Sequence, residues 1–155
     1  ILSGVAQGLQ PLWGQCYGKK DMEKMKWYFR SGVAINLVLS ALIYGGLYFF
    51  DVPGIHIFSK EPELIRSASA ALPMFALSFI PMAVNLIYTD SFFSPKRTGT
   101  ANAIAVSRGV AVKAVMILGL PLIFGTDAIW TAPLVTEMLT LAAAVMLSHK
   151  SKLIV

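Results

Sequence analysis

Two stretches of this chain run without a charged residue for the full length of a membrane crossing. Residues 31–50 (SGVAINLVLSALIYGGLYFF) hold no charge over 20 residues, and residues 67–89 (SASAALPMFALSFIPMAVNLIYT) hold none over 23. A helix needs about 20 apolar residues to cross the roughly 30 Å hydrocarbon layer. Lipid-exposed backbone must also satisfy its own hydrogen bonds, which favours helices. Strands of a membrane barrel would be shorter and would alternate, and these runs do not. The composition agrees: 14% of residues are charged, against about 25% in soluble domains.

Three further apolar stretches are less clean. Residues 1–17 start abruptly at Ile1, residues 99–125 carry Arg108 and Lys113, and residues 128–148 carry Glu137. The expected fold is therefore all-α, a polytopic membrane helix bundle with spans at about 1–17, 31–50, 67–93, 99–125 and 128–148. A charge at the centre of a bilayer costs roughly 2.5–3.5 kcal/mol on insertion scales. Arg108, Lys113 and Glu137 are thus expected to face a cavity, a partner or a pathway. The chain starts within a helix-like stretch, with no basic-headed signal peptide, and reads as a fragment of a longer protein.

The basic residues fall between the spans, which gives the bundle a direction. Residues 18–30 carry Lys19, Lys20, Lys24, Lys26 and Arg30 against Asp21 and Glu23. The 94–98 turn carries Lys96 and Arg97, and the tail carries Lys150 and Lys152. The intervening connections are acidic or mixed: Asp51, Lys60, Glu61, Glu63 and Arg66 in one, Asp127 in the other. Lys and Arg near span ends mark the cytoplasmic side. The first, third and last connections are then inside, the N-terminus outside and the C-terminus cytoplasmic. Trp27 and Tyr28 at the inner boundary, and Tyr48, Phe49, Phe50 and Trp130 at the outer one, fit headgroup-depth aromatic belts. Membrane topology thus accounts for the net charge of +5, and no nucleic-acid partner is expected.

Little here points to an enzyme. His56 is isolated in a connection, and a metal site needs clustered ligands, so no metal is expected. His, Asp and Glu do not converge at one depth, and no Gly-rich phosphate loop, HExxH or nucleophile triad is present. The lone Cys16 excludes an intrachain disulfide and a CxxC motif and reads as a buried free thiol.

The polar residues inside the spans carry the functional expectations. In the first span Gln7, Gln10, Gly14 and Tyr17 share one helical face at i, i+3, i+7 and i+10. Gly4/Gly8 and Gly14/Gly18 have GxxxG spacing, which permits close helix approach, and Pro11 should kink the helix. This face is either the polar wall of a cavity or interhelical glue. The third span carries Pro73, Pro81, Asn85 and Asp90, a pattern expected to bend the helix. At 1.5 Å per residue, Arg108, Glu137 and Lys113 lie roughly 14, 16 and 21 Å from the inner ends of their helices. Either cation is then within depth of Glu137. Five residues apart, the two cations are about 140° apart around the helix, so at most one faces it. The set is either a structural ion pair or a protonatable, cation-responsive carboxylate.

Taken in order, these segments resemble the multidrug and toxic compound extrusion (MATE) family of efflux transporters. The resemblance rests on Gln7-Gly8-Leu9-Gln10-Pro11 with Tyr17-Gly18, then Phe58-Ser59-Lys60-Glu61-Pro62-Glu63-Leu64-Ile65. It continues through Asn85, Ser91-Phe92-Phe93, Ser107-Arg108-Gly109, Leu120-Pro121-Leu122-Ile123-Phe124-Gly125, Ile129-Trp130 and Thr136-Glu137. It implies two six-helix lobes across a central cavity, of which this chain supplies most of the C-terminal one, from the eighth of twelve helices. The N-terminal lobe would be a partner lying outside this sequence. The resemblance further implies sodium- or proton-coupled efflux of amphipathic, often cationic drugs or xenobiotics by alternating access. No cofactor beyond the coupling ion is implied. The location is a plasma membrane, as in a bacterial inner membrane. Some sodium-coupled members carry an acid where Asn85 stands; an amide can coordinate a cation but cannot lose a proton. The competing readings are a lipid or polysaccharide flippase of the same wider superfamily and a structural membrane subunit. A flippase would line its cavity with more cations than Arg108 and Lys113, and a structural subunit would not need the polar Gln7–Gln10 face.

Overall fold

Asp21 shapes the start of the structure. Its carboxylate accepts the Lys24 backbone N–H at 3.0 Å, the N-cap interaction that starts a helix. The computed structural model describes residues 1–49, 55–57, 60–93 and 112–151, and all of its regular elements among them are helical. The first helix, α1, spans Leu2–Gly18, and the second, α2, spans Met22–Phe49. The sequence expectation placed residues 18–30 in a connection and began the second span at 31. The helix instead runs back through the basic segment to Met22. Asp21 caps it, and Met25 and Phe29, four residues apart on one face, are buried in one cluster with α1 and with Ala83, Leu86 and Ile87.

The long third apolar run becomes two helices, α3 (Pro62–Leu77) and α4 (Phe79–Phe93). Pro62 occupies the first turn of α3 behind Glu61, where its missing N–H has no helical partner to lose. The run was expected to bend, and the break falls at Ser78. Pro81 cannot donate to the Leu77 carbonyl. Ser78 closes the end of α3 by donating from its backbone N–H and from Oγ to the Phe75 carbonyl, at 3.1 and 2.6 Å. Helix α5 spans Val112–Phe124, a 3-10 segment covers Thr126–Thr131, and α6 spans Ala132–Ser151. Between α5 and the 3-10 segment Gly125 takes φ +89°, a left-handed backbone that glycine adopts without a Cβ penalty. The first half of the expected 99–125 span, with Arg108, lies outside the described residues. So does the 94–98 connection.

By length and apolarity, Met22–Phe49, Pro62–Ser91 and Ala128–Met146 can each cross a membrane, and Val112–Phe124 is a shorter apolar helix. Large apolar side chains stand exposed along them, including Leu42, Leu118, Leu122 and Ile123. Such surface is excessive for a chain in water and suited to lipid. The chain is thus an all-α membrane helix bundle. Helix α4 is its centre: it packs against α1 and α2 on one side and α6 on another, and α6 packs on α5. One core joins Leu2, Ala6, Trp13 and Cys16 of α1 with Met25 and Phe29 of α2 and Ala83, Leu86 and Ile87 of α4. Phe29 meets Tyr88 edge-on at 4.9 Å. The lone cysteine is buried here, as expected.

In lipid, helices associate through close packing and interhelical hydrogen bonds rather than through the hydrophobic effect. Both devices appear in α2. Gly32 is buried, and a Cβ there would press on Leu9 of α1 and Ile87 of α4. Asn36, fully buried, donates through Nδ2 to the Leu2 carbonyl of α1 (3.3 Å) and the Ala83 carbonyl of α4 (3.1 Å). The glycines with GxxxG spacing in α1 are not what brings these three helices together. A Cβ added at Gly4, Gly8 or Gly18 would meet nothing within 4 Å among the described residues, because α1 turns its other face, with Ala6 and Trp13, to the core. Pro11 lies inside α1 without ending it.

Candidate functional site

The contact between α4 and α6 is a polar seam inside an apolar bundle. Its hydroxyls are satisfied within their own helices: Thr89 donates to Asn85, Thr136 to Ala132 and Thr140 to Thr136, each to the carbonyl four residues back at 2.7–2.8 Å. All three threonines are buried. Their methyl groups are then free to pack, and these hydroxyls demand no partner across the seam.

Asn85 and Glu137 form the bond across it. The Asn85 Nδ2 donates to the Glu137 carboxylate Oε2 and to the Glu137 backbone carbonyl, both at 2.8 Å. Asn85 is 0% exposed, and its Oδ1 is buried with no hydrogen-bond partner among the described residues. Glu137 is half-buried. The site thus brings together the Glu137 carboxylate and the Asn85 amide oxygen, the latter accepting no hydrogen bond among the described residues. Hard cations take oxygen donors of this kind. A carboxylate can also carry a proton, whereas the amide cannot. No group of three His, Cys, Asp or Glu residues able to hold a metal ion occurs among the described residues.

The structure sorts the sequence candidates. Glu137 and Asn85, singled out separately, come together. Arg108 lies outside the described residues. Lys113 stands exposed on α5, and the side chain that reaches Glu137 from α4 is Asn85. Gln7 and Tyr17 are exposed and Gln10 is half-buried, so the row forms an open polar face of α1 beside the buried face of Leu2, Ala6, Trp13 and Cys16. Asn85 is not part of that row, since it is enclosed between α4 and α6. Asn36 was missed. The signal for it was an amide in a 20-residue uncharged span, where it must find partners. A cavity of about 660 Å³ also opens between α3 and the 3-10 segment, lined by Arg66, Ser67, Met74, Trp130 and Thr131 among others; none of the sequence candidates lines it.

Comparisons with known proteins bear on this arrangement. The MatE family model matches residues 1–124. The Arabidopsis thaliana "Protein DETOXIFICATION 3" is 32% identical over 95 residues. That match spans 61% of this chain but 18% of the plant protein, so the chain corresponds to a small part of that relative's length. No solved structure matches.

Proposed function

Because this chain belongs to the MatE family, we propose that it forms part of a secondary active transporter that exports amphipathic or cationic compounds by alternating access. Coupling is to sodium or protons, and the Asn85–Glu137 pair is the place where the ion acts. The single observation that carries this is the buried Asn85 Oδ1, without a partner among the described residues, beside a half-buried carboxylate. A buried polar group left without a partner costs about 1–3 kcal/mol, and a bound cation would use the oxygen that the structural bond leaves over. Asn36 also leaves its Oδ1 over, but its amide bridges two backbone carbonyls and no carboxylate is bonded to it.

The open row of Gln7, Gln10 and Tyr17 then serves as substrate-facing wall. A second six-helix lobe completes the cavity, the C-terminus is cytoplasmic and the setting is a bacterial plasma membrane. The name of the plant relative, DETOXIFICATION, agrees with export of harmful compounds. No step of this reading makes or breaks a covalent bond, so the protein acts as a carrier rather than an enzyme. The wall assignment is tested with Gln10→Ala in the intact protein expressed in a drug-sensitive host. The pattern of compounds resisted should shift by several-fold while membrane insertion stays at the parent level. An unchanged resistance profile overturns the wall assignment.

A further inference from the structure

The turn between α1 and α2 encloses a cavity of about 180 Å³, large enough for a phosphate group with part of its ester. Gln15 near the end of α1 and Lys19 at its C-cap line it from one helix, and Lys24 and Tyr28, one turn apart on α2, line it from the other. Residues at i and i+4 lie on one helical face, so the α2 pair presents its polar ends together. Leu12 and the buried Cys16 add an apolar part to the lining. All four wall side chains can donate: an amide, two ammonium groups and a phenol hydroxyl.

The turn holds these walls in register. Lys20 takes φ +58°. The backbone N–H groups of Lys19, Lys20 and Asp21 donate back to the carbonyls of Gln15, Tyr17 and Cys16 at 2.9–3.1 Å. Asp21 also lines the cavity, but one of its carboxylate oxygens is engaged by the Lys24 backbone N–H. The surrounding segment, 18–30, carries five basic residues against two acidic ones. Next in the chain to Tyr28, Trp27 is 62% exposed and meets it edge-on at 5.2 Å, an aromatic pair of the kind that sits at headgroup depth.

We propose that the α1–α2 turn is a binding site for the headgroup phosphate of an anionic phospholipid. Gln15, Lys19, Lys24 and Tyr28 clamp the phosphate oxygens, and the acyl chains run along the exposed apolar face of α2 beside Trp27. A soluble phosphate shares the headgroup chemistry. The lipid is favoured because the clamp sits at the end of a helix long and apolar enough to cross a membrane. Basic pockets between membrane helices are suited to such headgroups. This inference rests on the membrane bundle, not on transport or on the orientation proposed above.

The test is a titration of the intact protein in neutral detergent with phosphatidylglycerol or phosphatidylcholine, read by native mass spectrometry. Phosphatidylglycerol should bind in preference. The Lys19→Gln/Lys24→Gln double variant should weaken it roughly thirty-fold, about five-fold for each lysine near an anionic group. Lys19→Arg/Lys24→Arg should retain binding, and Tyr28→Phe should lose a few-fold, which separates site loss from unfolding. Lys20→Gln/Lys26→Gln removes equal charge outside the cavity lining and should cost at least five times less than the cavity pair. Equal losses from the two glutamine pairs, or equal binding of the two lipids, overturn the proposal. Free glycerol phosphate at ten-fold excess should leave the lipid bound; its displacing the lipid overturns the assignment to a lipid. Efflux is measured separately, so failure here leaves the transport reading standing, and the reverse also holds.

Discussion

Replacing Asn85 with alanine removes the two hydrogen bonds that this side chain makes across the α4–α6 seam. The bond to the Glu137 backbone carbonyl is neutral, and interhelical bonds of that kind in membranes average about 0.6 kcal/mol with a maximum near 1.7. The bond to Oε2 has a carboxylate acceptor and contributes about 1.5–3 kcal/mol. The substitution also removes the buried Oδ1, which offsets about 1 kcal/mol of that loss. The expected net destabilisation is about 1–3 kcal/mol. Equilibrium unfolding of the intact protein in mixed detergent–dodecyl sulfate micelles measures it. A double-mutant cycle with Glu137→Ala isolates the side-chain bond, because the Glu137 backbone carbonyl survives that substitution. The coupling should be about 1.5–3 kcal/mol, the contribution of that bond and within the range for residues in one hydrogen-bond network. If Asn85→Ala unfolds at the parent midpoint, or the coupling is zero within error, the seam is not held by this pair.

Two further substitutions probe the packing of α1, α2 and α4. Asn36→Ala deletes the amide that ties the Leu2 and Ala83 carbonyls together and should cost about 1–2 kcal/mol in the same assay, given two interhelical bonds and a small void. Gly32→Leu drives a side chain into Leu9 and Ile87 and should cost about 1–3 kcal/mol through overpacking. Gly8→Ala, whose Cβ would meet nothing within 4 Å, should fall within about 0.5 kcal/mol of the parent.

The long spans were legible because burial in lipid demands an uninterrupted apolar run, and residues 31–50 and 67–89 supply it without ambiguity. Individual polar residues were legible for the same reason: Asn85 and Glu137 are conspicuous against their surroundings. Their pairing was not. Depths along α5 and α6 could be compared because those helices are neighbours in the chain. One partner of Glu137, Asn85, comes from α4, a contact that only tertiary packing creates. Gly4/Gly8 and Gly32 show the same limit from another side. GxxxG spacing says that close approach is permitted, but which face of α1 turns inward is decided by Trp13 and Ala6, not by the glycines. The early start of α2 was hidden because Lys24, Lys26 and Arg30 read as a connection. A charged helix extending past the hydrocarbon layer carries the same residues, and Asp21 at the cap with Met25 and Phe29 on the buried face were the signals for it.

The most direct test of the transport reading is efflux of a fluorescent lipophilic cation from proteoliposomes containing the intact protein, under an imposed sodium gradient and, separately, an imposed proton gradient. In the parent, one of the two gradients should drive export. Glu137→Gln should lower that driven rate at least ten-fold and leave no gradient able to restore it, while the protein still inserts and unfolds cooperatively. Glu137→Gln exporting at the parent rate, with the parent's dependence on the ion, would contradict a coupling role for the Asn85–Glu137 pair.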